Sequence, residues 1–331
     1  MVEMTTTLNV ASPVDFERFG DYTPPLPKTG VANGATFERP RYVFQARISA
    51  DGASGFKAEP GRYHLYISYA CPWAHRSAIV RKLKNLEDVV SLSVVDPIRD
   101  GRGWAFREGP GYTADPINGF TLLKDAYQAT DPDYDGHVSV PVLWDKASRR
   151  IVSNNFPDIS IDLGTQFEPW ADTSVDLYPV PLRAQIDELN ELIYHTVNNG
   201  VYMCGFARSQ EAYDRQVGRV FATLDQLDRR LASSRFLFGD SITESDVRLW
   251  VTLVRFDAVY YSHFKVNFRR IVDYPNLWDY ARDLYQRSAF RDTTNFDHIK
   301  RHYYTTHSHL NPTRIVPQGP IIDWETPHGR G

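Results

Sequence analysis

The residue in this sequence best equipped for chemistry is a sulfur, Cys71, in the stretch Ser68-Tyr-Ala-Cys71-Pro-Trp-Ala-His-Arg76. Before it, residues 62–68 alternate aromatic and aliphatic side chains with smaller or polar ones, which predicts a strand. After it, Ala78, Ile79, Leu83 and Leu86 recur at helical spacing among Arg81, Lys82 and Lys84, which predicts a helix. Pro72 suits the first helical position, where its missing N–H would be unpaired anyway. Cys71 then falls at the N-cap, where free N–H groups and the positive end of the helix dipole favour a thiolate. His75 and Arg76 are expected to add positive charge beside it. Ala74 stands where a Cys-x-x-Cys protein carries its second cysteine, so a sulfur attached to Cys71 needs an external thiol to remove it. A lone cysteine is by default an inert core residue. Strand, Cys-Pro, aromatic and basic helix together favour a reactive one.

Other candidates carry less. Cys204 reads as a small hydrophobe. His298 and His302 lie four apart on a predicted helix but lack a third ligand and a His-Glu-x-x-His pattern, so no metal site is expected. Neither a nucleophile elbow, nor a Walker loop, nor a dinucleotide fingerprint is present.

The elements that must position Cys71 follow from the wider pattern. The 331 residues are 42% hydrophobic and 13% aromatic, with a formal net charge of -4 spread along the chain. That balance indicates neither a nucleic-acid footprint nor a membrane patch. Two cysteines, no signal-peptide pattern and no long apolar run lead to the expectation of a cytoplasmic protein. Residues 1–58 read as an irregular extension tied down by Phe16, Phe19, Tyr22 and Phe37. Residues 59–172 read as an α/β domain, opening with strand, helix and parallel strand over 60–95 and carrying a polar insertion at 97–136. A strand over 138–144 holds a proline, Ile151 and Val152 return, and Ser153-Asn-Asn-Phe156 leads into a helix. Beyond a joint at 170–181, helical periodicity dominates, so residues 178–331 are expected to be all-helical. Thr243 with Asp246 predicts a capping box there.

The Cys71–Arg76 hexapeptide resembles the signature of the glutathionyl-hydroquinone reductases, the Xi class of the glutathione transferase superfamily. Ser139-Val-Pro-Val-Leu-Trp-Asp145, Thr196-Val-Asn-Asn-Gly-Val-Tyr202, Leu249-Trp-Val-Thr-Leu-Val-Arg-Phe-Asp257, Asn295-Phe-Asp-His-Ile299 and His309-Leu-Asn-Pro-Thr313 resemble the same family. The resemblance implies a thioredoxin-like α/β domain followed by an all-α domain, the glutathione transferase fold, with the active cleft between them in a homodimer. It implies that Pro141 is cis, that the backbone of Val140 pairs with a bound thiol, and that Trp104, expected as an exposed aromatic in a glycine-rich loop, covers that thiol. Tyr202 and Tyr303 would face the second substrate across from Cys71. The implied chemistry needs a small-molecule thiol, an aromatic quinone or hydroquinone substrate, and no tightly bound cofactor.

At one place the sequence departs from that pattern. The family holds the γ-glutamyl end of glutathione with a Glu-Ser pair after the returning strand, assisted by an arginine before the cis-proline strand. Here those places hold Asn155, Phe156 and His137. A carboxylate, a hydroxyl and a permanent cation have become a neutral amide, a ring and a group largely neutral at pH 7. The expected cosubstrate is therefore glutathione or, in preference, a thiol with no γ-glutamyl group such as mycothiol. Alternative readings are a thiol-dependent reductive dehalogenase, a dehydroascorbate or disulfide reductase on the same cysteine, and a catalytically silent binding scaffold.

Overall fold

The structure, a computed structural model, describes residues 9–23, 37 and 39–330. A helical turn α1 (Phe16–Phe19) precedes a four-stranded mixed sheet, β1 (Tyr63–Ile67), β2 (Ser91–Val94), β3 (Val142–Asp145) and β4 (Arg150–Ser153), in the order β2-β1-β3-β4. β1 and β2 are parallel, with His64 opposite Ser91 and Ile67 opposite Val94. Their connection is α2 (Pro72–Leu83), as the strand-helix-strand reading requires. β3 runs antiparallel to both β1 and β4. All five residues of β1 are buried, as befits a strand covered on both faces.

The polar insertion expected at 97–136 is a correction: from Leu123 it is α3 (Leu123–Thr130), which buries Leu123, Ala126 and Tyr127. Asp125 starts it by accepting from the Thr121 and Leu122 N–H groups at 3.1 and 2.9 Å. Flanking glycine, aspartate and proline masked this short helix in the sequence. Tyr127 ties α3 to the segment before β3, donating to the Ser139 carbonyl at 2.8 Å while the Ser139 N–H donates back at 3.1 Å. The Val140–Pro141 bond is cis. The strand expected from residue 138 therefore begins only at Val142.

α4 (Phe156–Thr165) follows β4 and packs against α2. The joint is anchored from α2, whose final turn is followed by Lys84; its Nζ donates to the carbonyls of Asp172 and Val175 at 2.5 and 2.6 Å. Helices fill the rest: α5 (Arg183–Ile193), α6 (Gly200–Gly205), α7 (Gln210–Leu231), α8 (Glu244–Arg255), α9 (Pro275–Tyr285), α10 (Ser288–Arg291) and α11 (Phe296–Thr306). Residues 182–300 contain no strand. Two π-helical turns, Tyr194–Asn198 and Phe256–Tyr260, interrupt this half, a feature often met near functional sites. The capping box forms: the buried Asp246 carboxylate accepts from Thr243 N–H and Oγ1 at 2.7 and 2.8 Å, and also from Leu237 N–H and Tyr280 hydroxyl.

Of the extension, Phe16 lies under the Arg314 guanidinium at 3.8 Å and Phe19 under that of Arg102 at 3.7 Å. Tyr22 lies under Arg99 at 3.7 Å, and Phe37 packs on Phe206 at 5.1 Å. Residues 1–8, 24–36 and 38 of that segment lie outside the described residues. Among the described residues, no helix is long and apolar enough to cross a membrane.

Candidate active site

Cys71 is the N-cap of α2, with extended backbone and Pro72 just inside the helix. Its carbonyl accepts the first helical bond, from His75 N–H at 3.0 Å. Its side chain makes no capping bond to the free N–H groups of the first turn; the thiol donates to the Val140 carbonyl at 3.6 Å. The cysteine thus sits between a helix N-terminus and the residue before the cis-proline.

The electrostatics depart from expectation. Burial pushes the Cys71 thiol up, against the downward pull of the Ala74 and Trp73 N–H groups and of Arg255 and Arg39. His75 adds no charge: it is fully buried and held well below its ordinary pKa by burial and by Arg255. The guanidinium of Arg255 donates to His75 Nδ1 at 3.1 Å, so Nε2 carries the proton and donates to Thr293 Oγ1 at 2.9 Å. Arg76 points the other way, donating to Asn198 Oδ1 at 2.8 Å, and burial lowers it to about 9. The cation beneath the cysteine loop is Arg255 at the end of α8. It donates to the carbonyls of Tyr69 and Ala70 at 2.7 and 3.1 Å, joining the helical half to the Cys71 turn.

Tyr202 and Tyr303 come together, hydroxyl to hydroxyl, in a short hydrogen bond. Tyr260, placed by the second π turn, joins them at 3.0 Å from Tyr303. Burial raises all three phenols above their ordinary range, so they stand as neutral O–H donors. The Tyr202 ring lies 6.1 Å from that of Trp73, two residues after Cys71. Two mutual hydrogen bonds occupy two of the three hydroxyl protons, which leaves one for a ligand oxygen.

The remaining expected residues lie around this centre. Trp104 is 4% exposed, so its expected exposure is a correction: it stacks on His302 at 5.2 Å and carries the Arg99 guanidinium at 4.3 Å. His302 and His298 each engage a carbonyl, of Pro97 and Pro110 respectively, both at 2.7 Å. No cluster of metal-binding side chains occurs among the described residues. His137 is held at about 4 by burial and by the cations Arg99 and Arg39, hence neutral, with Tyr22 at 3.5 Å. Asn155 stands at the N-cap position of α4 without a side-chain capping bond, its amide donating instead to the Asp158 carboxylate at 2.7 Å. Phe156 is buried against Trp73 at 4.6 Å and Tyr42 at 5.5 Å, with the Arg76 guanidinium over its ring. The ring thus occupies space at the start of α4 that the short hydroxyl side chain expected from the resemblance would not. Cys204 is buried and raised to about 12.

Sequence reasoning did not single out Arg39, Arg255 or Tyr260. Arg255 lay in plain view inside the segment Leu249–Asp257, as its one cation.

A sheet of this topology, a cysteine at the α2 N-cap beside a cis-proline, and a helical half after it define the glutathione transferase fold. Family models agree: residues 70–166 match the glutathione S-transferase N-terminal domain and residues 210–283 its C-terminal domain. The glutathionyl-hydroquinone reductase YqjG of Escherichia coli is 48% identical over 306 residues, covering 90% of this chain and 93% of that protein. Its glutathione-bound structure superposes with a TM-score of 0.85 at 49% identity, covering 87% of this chain and 96% of that one. The glutathione S-transferase Xi of Phanerochaete chrysosporium gives 0.83 at 48% identity, covering 86% and 98%. The chain belongs to the glutathionyl-hydroquinone reductases, the Xi class of glutathione transferase superfamily enzymes.

Proposed function

We propose that this enzyme removes a small thiol from S-(glutathionyl or mycothiolyl)-hydroquinones through a mixed disulfide on Cys71. The observation that carries the reading is Cys71 at the helix N-terminus with its thiol on the Val140 carbonyl, while the ring of Tyr202, joined by its hydroxyl to Tyr303 and so to Tyr260, packs 6.1 Å from that of Trp73 in the same first turn. The Cys71 thiolate attacks the sulfur of the conjugate in its keto form. An S–S bond forms, the C–S bond breaks, and its electron pair passes into the ring as an enolate. A proton from the tyrosine cluster converts that enolate to the hydroquinone. A second thiol attacks the mixed disulfide, leaves as the symmetrical disulfide and restores Cys71; two thiols supply the two electrons.

Val140 and Trp104 are proposed to hold the cysteinyl part of the thiol, and Asn155, Phe156 and His137 to line its far end. Phe156 and a neutral His137 favour a thiol without a γ-glutamyl group, such as mycothiol. Glutathione is the second reading, supported by the glutathione-bound relative. The test is reduction of the Cys71 mixed disulfide by each thiol in parallel. Efficient turnover with millimolar glutathione and none with mycothiol would overturn the preferred thiol. A homodimer is proposed from the family resemblance, and sedimentation at micromolar concentration tests it.

A further inference from the structure

Arg39 belongs to the segment before the first strand, yet it reaches into the site. Its guanidinium lies 4.3 Å from the ring centre of Trp73, 4.4 Å from that of Tyr202 and 5.3 Å from that of Phe37. Its Nε donates to Asn199 Oδ1 at 2.7 Å. One side chain thus touches the extension, the first turn of the cysteine helix and the tyrosine-bearing α6.

Two features bear on a part in the reaction. Its Nη2 is buried and has no hydrogen-bond partner among the described residues, whereas the other cation acting on Cys71, Arg255, is spent on carbonyls and His75. Its charge also acts on both sides of the reaction, on the Cys71 sulfur and on the Tyr202 hydroxyl. A guanidinium held by cation–π contacts and one hydrogen bond, with a free donor in a site of low dielectric, is pre-organised to receive an anion.

We propose that Arg39 is the oxyanion-binding residue of the reaction: its free Nη2 hydrogen-bonds the ring oxygen of the aromatic substrate and stabilises the charge arriving there as the C–S bond breaks. The inference rests on the function proposed above and assigns part of the site to the N-terminal extension. Attack by Cys71 pushes an electron pair into the ring, and the enolate oxygen bears it until a tyrosine hydroxyl delivers its proton. A cation beside Tyr202 stabilises that intermediate; in the second half-reaction no ring oxyanion forms and Arg39 acts only through the weaker pull of its charge on the departing Cys71 thiolate.

The two half-reactions are therefore measured separately in wild type, Arg39→Gln and Arg39→Lys, with glutathionyl and mycothiolyl conjugates of benzohydroquinone as probes. In Arg39→Gln, hydroquinone release in a single turnover should slow about 100-fold, the usual effect of losing one oxyanion donor. Reduction of the preformed Cys71 mixed disulfide by free thiol should change less than about threefold, and Arg39→Lys should recover part of the loss. Halogenated conjugates, whose ring oxyanion is intrinsically more stable, should narrow the gap between variant and wild type. Equal slowing of both half-reactions, or a gap that ignores ring substitution, would reduce Arg39 to a packing role and overturn the proposal. Wild-type enzyme that forms no mixed disulfide with either conjugate would instead overturn the function on which it rests.

Discussion

Tyr303→Phe deletes the hydroxyl at the hub of the phenol cluster and should separate stability from chemistry. Tyr303 links Tyr202 by a short bond and Tyr260 at 3.0 Å, and Tyr260 is 0% exposed. Without its partner the Tyr260 hydroxyl is a buried, unsatisfied group, which costs about 1–3 kcal/mol, and the Tyr202 bond adds about 1 kcal/mol. The sum, about 2–4 kcal/mol, lowers Tm by roughly 4–8 °C for a chain of this size. Tyr202 keeps its own proton, so the rate loss should fall at the low end of general-acid effects, about 10²-fold, and only in the step that releases the hydroquinone. A rapid-quench single turnover with the conjugate, followed by reduction of the isolated mixed disulfide, measures the two halves. Hydroquinone release at the wild-type rate in a variant that melts several degrees lower would show that the cluster packs the site without serving as its acid.

Burial raises the Cys71 thiol, and the thiolate is the nucleophile, so kcat/KM should climb about tenfold per pH unit from pH 6 to 8; a plateau below pH 7 would mean that the helix N-terminus outweighs burial. Because the three phenols are also raised, no falling limb should appear by pH 9, which the same profile checks. Asn155→Glu with Phe156→Ser should improve glutathione as reductant by about 10²-fold or more, since each charge-assisted bond is worth about 1.5–3 kcal/mol; unchanged steady-state KM for glutathione would refute that reading of the pocket. Asp246→Ala strips the acceptor from two backbone N–H groups and two hydroxyls, and should cost at least about 3 kcal/mol in a denaturant titration.

Features set by adjacent residues were legible in the sequence. The strand-to-helix turn at Cys71, Pro72 inside the helix and the Thr243–Asp246 box each depend on a few neighbours, and each is found where its signal lies. Features set by burial were not. His75 and Arg76 read as positive charge beside the sulfur, but both are fully buried, one neutral and one turned toward Asn198. Trp104, in a glycine-rich stretch, read as exposed, yet the insertion folds back so that His302 and Arg99 cover it. Long-range pairings were also out of reach: Arg39 meets Asn199 across 160 residues of chain, and no local pattern announces that contact. Tyr260 owes its place to a π turn, which leaves no hydrophobic periodicity to read.

The central claim is that Cys71 becomes covalently loaded with the thiol as the aromatic departs. Intact-protein mass spectrometry after one turnover with a conjugated hydroquinone, without free thiol, tests it directly. The account predicts that the chain gains the mass of one thiol less two hydrogens, that the adduct maps to Cys71, that one hydroquinone is released per adduct, and that Cys71→Ala shows neither. Hydroquinone release by Cys71→Ala at the wild-type rate, or stoichiometric release with no adduct on the wild-type chain, would contradict it.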